Sequence, residues 1–139
     1  MYVVYYSGTG NTEMMAKAVA EGMETAGASV EVVEFDAITP SALAKESAFA
    51  LGCPAMGDEV LEEGTVEPFV EELEKSVSGK KVVLFGSYDW GDGQWMRDWV
   101  ERMENAGAVV VGGEGVMVNN EPDEEAIENC KNAGKALVG

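Results

Sequence analysis

Five short apolar segments alternate with amphipathic segments along the chain, and this alternation is the strongest constraint on its fold. The apolar segments are MYVVYY, SVEVVEF, SAFALG, KKVVLFGS and AVVVGGEGVMV. Continuous apolar runs such as MYVVYY are expected of strands that are buried on both faces. The segments NTEMMAKAVAEGMETAG and WMRDWVERMENAG space their apolar residues at helical intervals and end in glycine. Alternating strands and helices predict an α/β domain with a parallel sheet covered by helices on both faces.

The chain has 139 residues, which predicts a single domain over residues 1–139. Within it, Pro68 marks the start of a helix, because proline suits the first helical turn. The pair Gly112-Gly113 predicts a break in the fifth strand. The first helix is expected to bury one face, formed by Met14, Met15, Ala18, Val19 and Gly22.

The composition is strongly acidic. There are 26 aspartate and glutamate residues against 9 lysine and arginine residues, which gives a net charge of −17. Nucleic acids and anionic membrane surfaces would repel such a chain, so we predict neither as a partner. A protein with a basic docking surface is the partner that this charge favours. The alternative explanation of the charge is solubility or tolerance of salt.

Several chemistries are excluded by the residues that the chain lacks. It has no histidine, which rules out Ser-His-Asp catalysis and histidine-ligated metals. Its two cysteines, Cys53 and Cys130, do not form a CxxC motif and are too few for a zinc or iron–sulfur site, so we predict no metal. We predict two reduced, buried thiols, with a disulfide between them as the alternative. No apolar run approaches the ~20 residues of a membrane span, and the short N-terminal run lacks the features of a signal peptide. The cytoplasm is therefore the expected compartment.

The loop SGTGNT lies between the first strand and the first helix. Unpaired amides and the helix dipole favour a phosphate at such a helix N-terminus. The loop lacks the lysine of a Walker motif, and Glu13 occupies the third glycine position of the dinucleotide motif, so a single monophosphate is the predicted ligand. The alternative is a tight capped turn that binds nothing.

Three further loops follow predicted strands and therefore reach the same edge of the sheet, where ligands of doubly wound proteins bind. They are CPAMGDE, SYDWGDG and NNEPDE. Trp90 and Met56 stand in two of these loops beside glycines. An exposed tryptophan would find a partner in an apolar planar ring, although Trp90 could equally be a lid over the core.

The motifs SGTGNT, GCPAMGDE, LFGSYDWGDGQWM and NEPDE occur in the order typical of one family, and together they span nearly the whole chain. The chain resembles the short-chain flavodoxins of clostridial type, the small FMN-binding electron carriers of anaerobic bacteria. This resemblance implies a flavodoxin-like, doubly wound sheet of five parallel strands in the order 2-1-3-4-5, with noncovalently bound FMN as its cofactor.

The resemblance also implies roles for individual residues. Ser7, Thr9, Asn11 and Thr12 would hold the FMN phosphate, and Met56 and Trp90 would flank the isoalloxazine ring. The Gly57–Asp58 peptide would face flavin N5, Glu59 would accept from N3–H, and the amides of Asp89 and Gly91 would meet N1 and O2. Ser87 and Asn120 would lie at the ribityl chain, with Asn119 as the alternative to Asn120. The complete implied set is Ser7, Gly8, Thr9, Gly10, Asn11, Thr12, Pro54, Ala55, Met56, Gly57, Asp58, Glu59, Ser87, Tyr88, Asp89, Trp90, Gly91 and Asn120.

Two positions depart from the family pattern. Asp89 stands where close relatives usually have glycine, and the expected effect is on the flavin potential. The third strand, SAFALG, has no β-branched residue, and the expected effect is on stability.

The function implied by the resemblance is a low-potential one-electron carrier that shuttles between semiquinone and hydroquinone and is not itself an enzyme. The implied partners are ferredoxin-type reductases and oxidoreductases, and the expected state is a monomer. Carboxylates near the flavin would lower its potential, namely those of Asp58, Glu59, Asp89, Asp92 and Glu121. One alternative is a small FMN-dependent oxidoreductase that acts on a quinone or NAD(P)H. A phospho-receiver domain is disfavoured, because the first strand is followed by YSGTG rather than by clustered acids.

Overall fold

The computed structural model describes residues 1–139 and contains six strands and five α-helices. The strands are β1 Tyr2–Tyr5, β2 Glu31–Glu34, β3 Ala48–Gly52, β4 Lys81–Tyr88, β5 Val109–Val110 and β6 Val116–Asn119. The helices are α1 Asn11–Thr25, α2 Pro40–Leu43, α3 Val66–Leu73, α4 Gln94–Asn105 and α5 Glu124–Val138. None of these helices combines the length and the apolar character needed to cross a membrane.

The strands form one parallel sheet in the order β2-β1-β3-β4-β5, which confirms the predicted order. The predicted break in the fifth strand is also present. β5 and β6 both pair with β4, and between them Gly112 and Gly113 have φ angles of 77° and 74°. The backbone leaves the extended conformation at this pair and returns to the sheet edge four residues further along, so β6 continues the edge that β5 begins.

Two apolar clusters cover the two faces of the sheet, one with α2, α3 and α4 and the other with α1 and α5. β3 shows how the sequence divides between them. Phe49 and Leu51 point into the first cluster, whereas Ala48 and Ala50 point into the second. The missing β-branched residues of β3 therefore have a packing explanation, because small side chains let α1 and α5 approach that face.

Two details differ from the sequence predictions. Met14 is 42% exposed, so its assignment to the buried face of α1 was wrong, whereas Met15 and Val19 are fully buried. Met14 lies one residue, about 100°, from the centre of the buried stripe. Helix α3 begins at Val66 rather than at Pro68. Proline is tolerated at this third position because the amides of the first turn have no intrahelical acceptor.

Helices α1 and α5 cross at two glycines. A Cβ at Gly22 would collide with the backbone carbonyl of Lys131, and a Cβ at Gly134 would collide with the carbonyl of Val19. Neither obstacle is a flexible side chain that could rotate away. The position of α1, and of the loop that precedes it, therefore depends on the absence of a side chain at these two sites.

We predict that Gly22→Ala lowers the free energy of unfolding by about 2 kcal/mol, because overpacking of about 1–3 kcal/mol at rigid backbone outweighs a helix-propensity gain of up to about 1 kcal/mol. Urea unfolding measures the change. Glu24→Ala, an exposed change on the same helix, is the control and should stay within about 0.5 kcal/mol of the parent. A stability gain for Gly22→Ala would show that the two helices are not in close contact.

Candidate functional site

The loop from Ser7 to Thr12 presents backbone N–H groups that no other group of the protein accepts. Gly10, with a φ of 94°, precedes α1, and the helix has no side-chain cap. Only the Gly10 N–H within the loop has a partner, the Ser7 Oγ at 3.0 Å. The N–H groups that remain free are those of Ser7, Gly8, Thr9, Asn11, Thr12 and Glu13. Such a set of free amides at a helix N-terminus is suited to an anion.

Thr12 and Ser87 connect this loop to strand β4. Both residues are buried, at 1% and 5% exposure, and their hydroxyl oxygens lie 3.0 Å apart. The Ser87 amide also donates to the Thr12 Oγ1 at 3.4 Å. The structure therefore brings together a predicted phosphate residue and a predicted ribityl residue, and here their hydroxyls bond to each other.

A cleft of about 410 Å³ opens beside this loop at the carboxyl ends of β1, β3 and β4. All ten of its lining residues belong to the set predicted from the sequence, and they are Gly8, Thr9, Asn11, Pro54, Ala55, Met56, Ser87, Tyr88, Asp89 and Asn120. A larger concavity of about 620 Å³ lies between α3 and α4, but five of its six lining residues are polar or charged. We assign the site to the smaller cleft, because only that cleft combines apolar side chains with the free amides.

The loop after β3 closes into a tight hairpin. Met56 and Val60 exchange two backbone hydrogen bonds of 2.9 and 3.0 Å. Between them, Gly57 has a φ of 46° and Glu59 a φ of 57°. Positive φ is unfavourable for a residue with a side chain, so Glu59 is held in this conformation by its surroundings.

Glu59 and Trp95 connect that hairpin to the start of α4. The Glu59 Oε1 accepts from the backbone N–H groups of Asp92, Gly93 and Gln94 at 3.2, 3.2 and 3.1 Å. The Trp95 Nε1 donates to the Cys53 carbonyl at 3.1 Å, and this indole is buried. This contact of Trp95 was not predicted from the sequence. The only available signal was its position one residue inside a helix that follows a candidate loop.

The remaining predicted residues lie around the cleft without lining it. Trp90 is 58% exposed on the loop after β4, so it is not a lid over the core. Of the two candidate asparagines, Asn120 lines the cleft and has a φ of 63°, whereas Asn119 donates to the Tyr88 carbonyl at 3.3 Å. Ser7, Gly10 and Thr12 belong to the loop and first helical turn that present the free amides, but they do not line the cleft.

The charges at this end of the molecule are almost all negative. Arg97 is the one nearby cation, and it bonds to the side chain and the carbonyl of Asp92 at 3.0 and 2.9 Å. Asp58, Asp89 and Glu121 are exposed and have no ion-pair partner. The two thiols are free and buried, as predicted. Burial raises the pKa of Cys53 to about 12, so its thiol is protonated at neutral pH.

A doubly wound parallel sheet with free helix-terminal amides and a partly apolar cleft at the ends of its strands is typical of the class of proteins that bind a mononucleotide. The comparisons specify the class further. Residues 3–134 match the sequence profile of the flavodoxin family.

The chain is 51% identical over 138 residues to a flavodoxin of Clostridium beijerinckii, which covers 99% of both chains. It is 47% identical over 136 residues to a flavodoxin of Megasphaera elsdenii, which covers 98% of this chain and 96% of that relative. The solution structure of two-electron reduced Megasphaera elsdenii flavodoxin has a TM-score of 0.90 at 45% identity, with 99% of this chain and 97% of that chain covered.

The chain therefore belongs to the flavodoxin family, the small FMN-binding proteins that transfer electrons to redox partner proteins rather than acting as enzymes. The residues present fit that cofactor. The free amides of the first loop suit a terminal phosphate, and the side chains of Met56 and Tyr88 give the same cleft apolar lining suited to a planar ring.

A second carboxylate, which follows the hairpin after β3, caps a different helix. The side chain of Glu62 accepts from the backbone N–H groups of Gly64, Thr65 and Val66 at 2.8, 2.7 and 3.0 Å, at the start of α3. Burial disfavours its ionised form, but these three hydrogen bonds outweigh burial and hold the pKa of Glu62 below its ordinary value of 4.5.

We predict that Glu62→Gln lowers the free energy of unfolding by about 1 kcal/mol at pH 7. Because the native pKa is the lower one, the contribution is complete above pH 4.5 and is lost as the pH falls through the native pKa. The difference in the free energy of unfolding between the parent and Glu62→Gln should therefore disappear in acid. Urea unfolding from pH 7 to pH 3 measures it, with exposed Glu63→Gln as the control. A gap that is independent of pH would contradict the role of the ionised carboxylate.

Proposed function

We propose that the chain binds one FMN in the cleft, with the phosphate on the Ser7–Thr12 loop, and serves as a low-potential one-electron carrier. The six free N–H groups of that loop and of the first helical turn are the observation that carries this proposal. The whole chain, residues 1–139, acts as the single FMN-binding domain.

The phosphate would be held by neutral donors. The loop contains no lysine or arginine, and the nearest basic side chain on α1, Lys17, is exposed and lies 3.8 Å from the Glu13 carboxylate. The charge of a bound dianion is thus left without a cationic counterpart. Hydroxyls of Thr9 and Thr12 and the Asn11 amide would complete the set of donors.

The ring would lie between the loops after β3 and β4. Met56 lines the cleft on one side, and the exposed Trp90 is the aromatic side chain available on the other. A tryptophan with 58% of its surface in water gains from contact with a planar ring. Free backbone N–H groups of Asp89 and Gly91 would serve the polar edge of the ring, since neither donates within the protein.

Bound FMN supplies the one-electron chemistry, and the charges of this chain lower the potential at which it operates. The carboxylates of Asp58, Asp89 and Glu121 oppose any further negative charge in the cleft. Two other acidic residues would lower the potential less than the sequence predicts. Asp92 is paired with Arg97, and the Glu59 carboxylate lies at the positive end of α4.

Acidic residues at the start of α5 form the candidate face for a basic partner protein. Glu121, Glu124, Glu125 and Glu128 are exposed and take part in no ion pair. By contrast, the acids of residues 59–74 are largely engaged: Glu59 and Glu62 cap helices, and Glu67 and Glu74 bond to Arg102. We therefore propose that reductases and oxidoreductases dock on the α5 side of the cleft. The protein would act there as a monomer in the cytoplasm.

Titration of the apoprotein with FMN, riboflavin and FAD tests the proposal, and FMN should bind most tightly because only FMN ends in a monophosphate. Thr9→Glu places a carboxylate in the exposed loop. It should weaken the binding of FMN by at least ~10-fold while leaving the binding of riboflavin unchanged. Thr9→Gln has the same shape without the charge and is the control. If riboflavin binds the parent protein as tightly as FMN does, the phosphate loop contributes nothing and the proposal fails.

Gly57 gives a second test. The Gly57–Asp58 carbonyl is proposed to accept from flavin N5 when that atom carries a proton. A β-branched residue strains the backbone at a φ of 46°, so Gly57→Thr should weaken this bond by about 1 kcal/mol. The first one-electron potential should fall and the second should hold or rise, by several tens of millivolts.

Potentiometry of the FMN complex measures this change. Gly112→Thr is the matched control, because Gly112 also has a positive φ and open space around it but lies in the break between β5 and β6. Unchanged potentials in Gly57→Thr would mean that the N5 proton finds its acceptor elsewhere.

A further inference from the structure

We propose that the outer edge of β6 is a docking site at which a partner protein adds an extended basic segment to the sheet. Three features of the molecule meet there: an unpaired strand edge, an apolar groove beside it, and free carboxylates around the groove. The groove shares no residue with the cleft proposed for FMN, so docking at this edge does not require a bound flavin.

The backbone of β6 presents hydrogen-bonding groups that have no partner. β6 pairs only with β4, and no further strand lies beyond it. The Asn120 N–H donates to the Tyr88 carbonyl of β4 at 2.7 Å. Alternate residues of a strand direct their N–H and C=O groups to the same side, so Val116 and Val118 face β4 and Met117 faces outward. Such an outward edge is a template on which another strand can pair.

The opposite edge of the sheet is protected against such pairing, whereas the β6 edge is not. The edge strand there, β2, begins with Glu31 and ends with Glu34, and charged side chains on an edge strand disfavour the addition of another strand. β6 has the sequence VMVN, which contains no charge, and Met117 within it is 38% exposed. Of the two edges, β6 is therefore the one that is suited to an added strand.

A groove of about 550 Å³ lies between β6 and α4, beside this edge. Its apolar side chains are those of Met96, Val100 and Met117. The Met96 sulfur packs directly against Gly115, where a Cβ would collide with it. Methionine side chains adapt their shape to different apolar neighbours. The groove is therefore suited to an apolar side chain from a strand that pairs with β6.

The rim of the groove is acidic, and its carboxylates are free. Glu101, Glu104 and Glu114 are exposed and take part in no ion pair. Arg97, the one cation at the groove, is bonded to Asp92. A second copy of the chain would bring the same carboxylates and a net charge of −17 to this edge, which opposes self-association. The complementary occupant is a segment of another protein that contains lysine or arginine.

Strand geometry gives the sequence pattern that this segment should have. Side chains two residues apart lie on the same face of a strand, about 7 Å from each other. A segment paired with β6 can therefore place one apolar side chain in the groove and a basic side chain on either side of it, toward the acidic rim. The fitting pattern is basic-x-apolar-x-basic, in which the residues marked x face away from α4.

A segment docked at this edge would lie beside the FMN cleft. β6 ends at Asn119, and the next residue, Asn120, lines the cleft. A Cβ at Gly93 would lie 2.5 Å from the Met117 sulfur, so this sulfur packs against the point where the Trp90 loop joins α4. The edge could thus hold a redox partner near the flavin, and only this last step rests on the proposed function.

An NMR titration of the isotope-labelled protein with a seven-residue peptide tests the docking site. The peptide has lysine, leucine and lysine at its second, fourth and sixth positions and threonine elsewhere. The amides of Gly115 and Met117 and the methyl groups of Met96 and Met117 should shift, both with and without FMN. A control peptide of the same composition has its leucine at the third position, on the face opposite to the lysines. It should bind about tenfold more weakly, because its leucine cannot enter the groove.

Equal binding of the two peptides would overturn the proposal, as would shifts confined to the acidic residues of α5. A dimer that forms through β6 without any peptide would also overturn it, since the occupant would then be a second copy of the chain.

Variants test the same site from the side of the protein. Glu114→Gln removes one charge of the rim and should weaken the first peptide about threefold. Glu24→Gln makes the same change at an exposed residue of α1, and it is the matched control that should leave binding unchanged. Equal losses in these two variants would show that only the net charge attracts the peptide, and they would overturn the proposal.

Met117→Lys gives the β6 edge the kind of charge that protects other edge strands, and it should abolish the shift of the Gly115 amide. Because Met117 is partly exposed, the fold should tolerate this change, and the spectrum of the free variant checks that it does. Undiminished binding of the first peptide to Met117→Lys would overturn the proposal.

Discussion

Parallel pairing of β1 with β3 and of β3 with β4 is the constraint on which the rest of the molecule depends. It places the carboxyl ends of three adjacent strands at one edge, so their loops meet although they come from residues 6–10, 53–60 and 89–93. β2 lies on the other side of β1, which is where the strand order reverses. The helices following β1 and β3 consequently lie on opposite faces, and the gap between them is the cleft.

The N-termini of three helices lie at that edge, and they differ in whether the protein supplies acceptors for their amides. The amides at the start of α1 are left free. Glu62 accepts from amides at the start of α3, and Glu59 accepts from those of Asp92, Gly93 and Gln94 at the start of α4. Of these three termini, α1 is therefore the one that is open to a negative ligand, since the other two already hold carboxylates. Both carboxylates come from the segment between β3 and α3, which lowers the number of free charges near the cleft without changing the acidic composition.

Periodicity predicted the alternation of strands and helices and the break at Gly112-Gly113, and these features are local, since each depends on a single strand, turn or helix. The resemblance to the short-chain flavodoxins supplied the strand order, and the set of residues that it implies includes all ten that line the cleft. Contacts between distant segments were not predictable. Nothing in the spacing of residues 59 and 92–94 shows that one caps the other, and the contact of α1 with α5 at two glycines requires the packed helices to be seen. Met14 was misplaced because a helical stripe has edges that periodicity alone locates poorly.

Backbone strain and the hydrogen bonds that offset it occur together in two of the loops around the cleft. Glu59 and Asn120 are the only residues other than glycine with positive φ, and they stand in two of the loops that surround the cleft. Such conformations cost about 1–3 kcal/mol each and persist only where neighbouring contacts enforce them. For Glu59 those contacts are the Met56–Val60 hairpin and the three amides of α4; for Asn120 they include its own amide, which donates to the Tyr88 carbonyl at 2.7 Å. Because the protein's own hydrogen bonds offset this strain, a ring that binds as we propose would need little of its binding energy to order the loops.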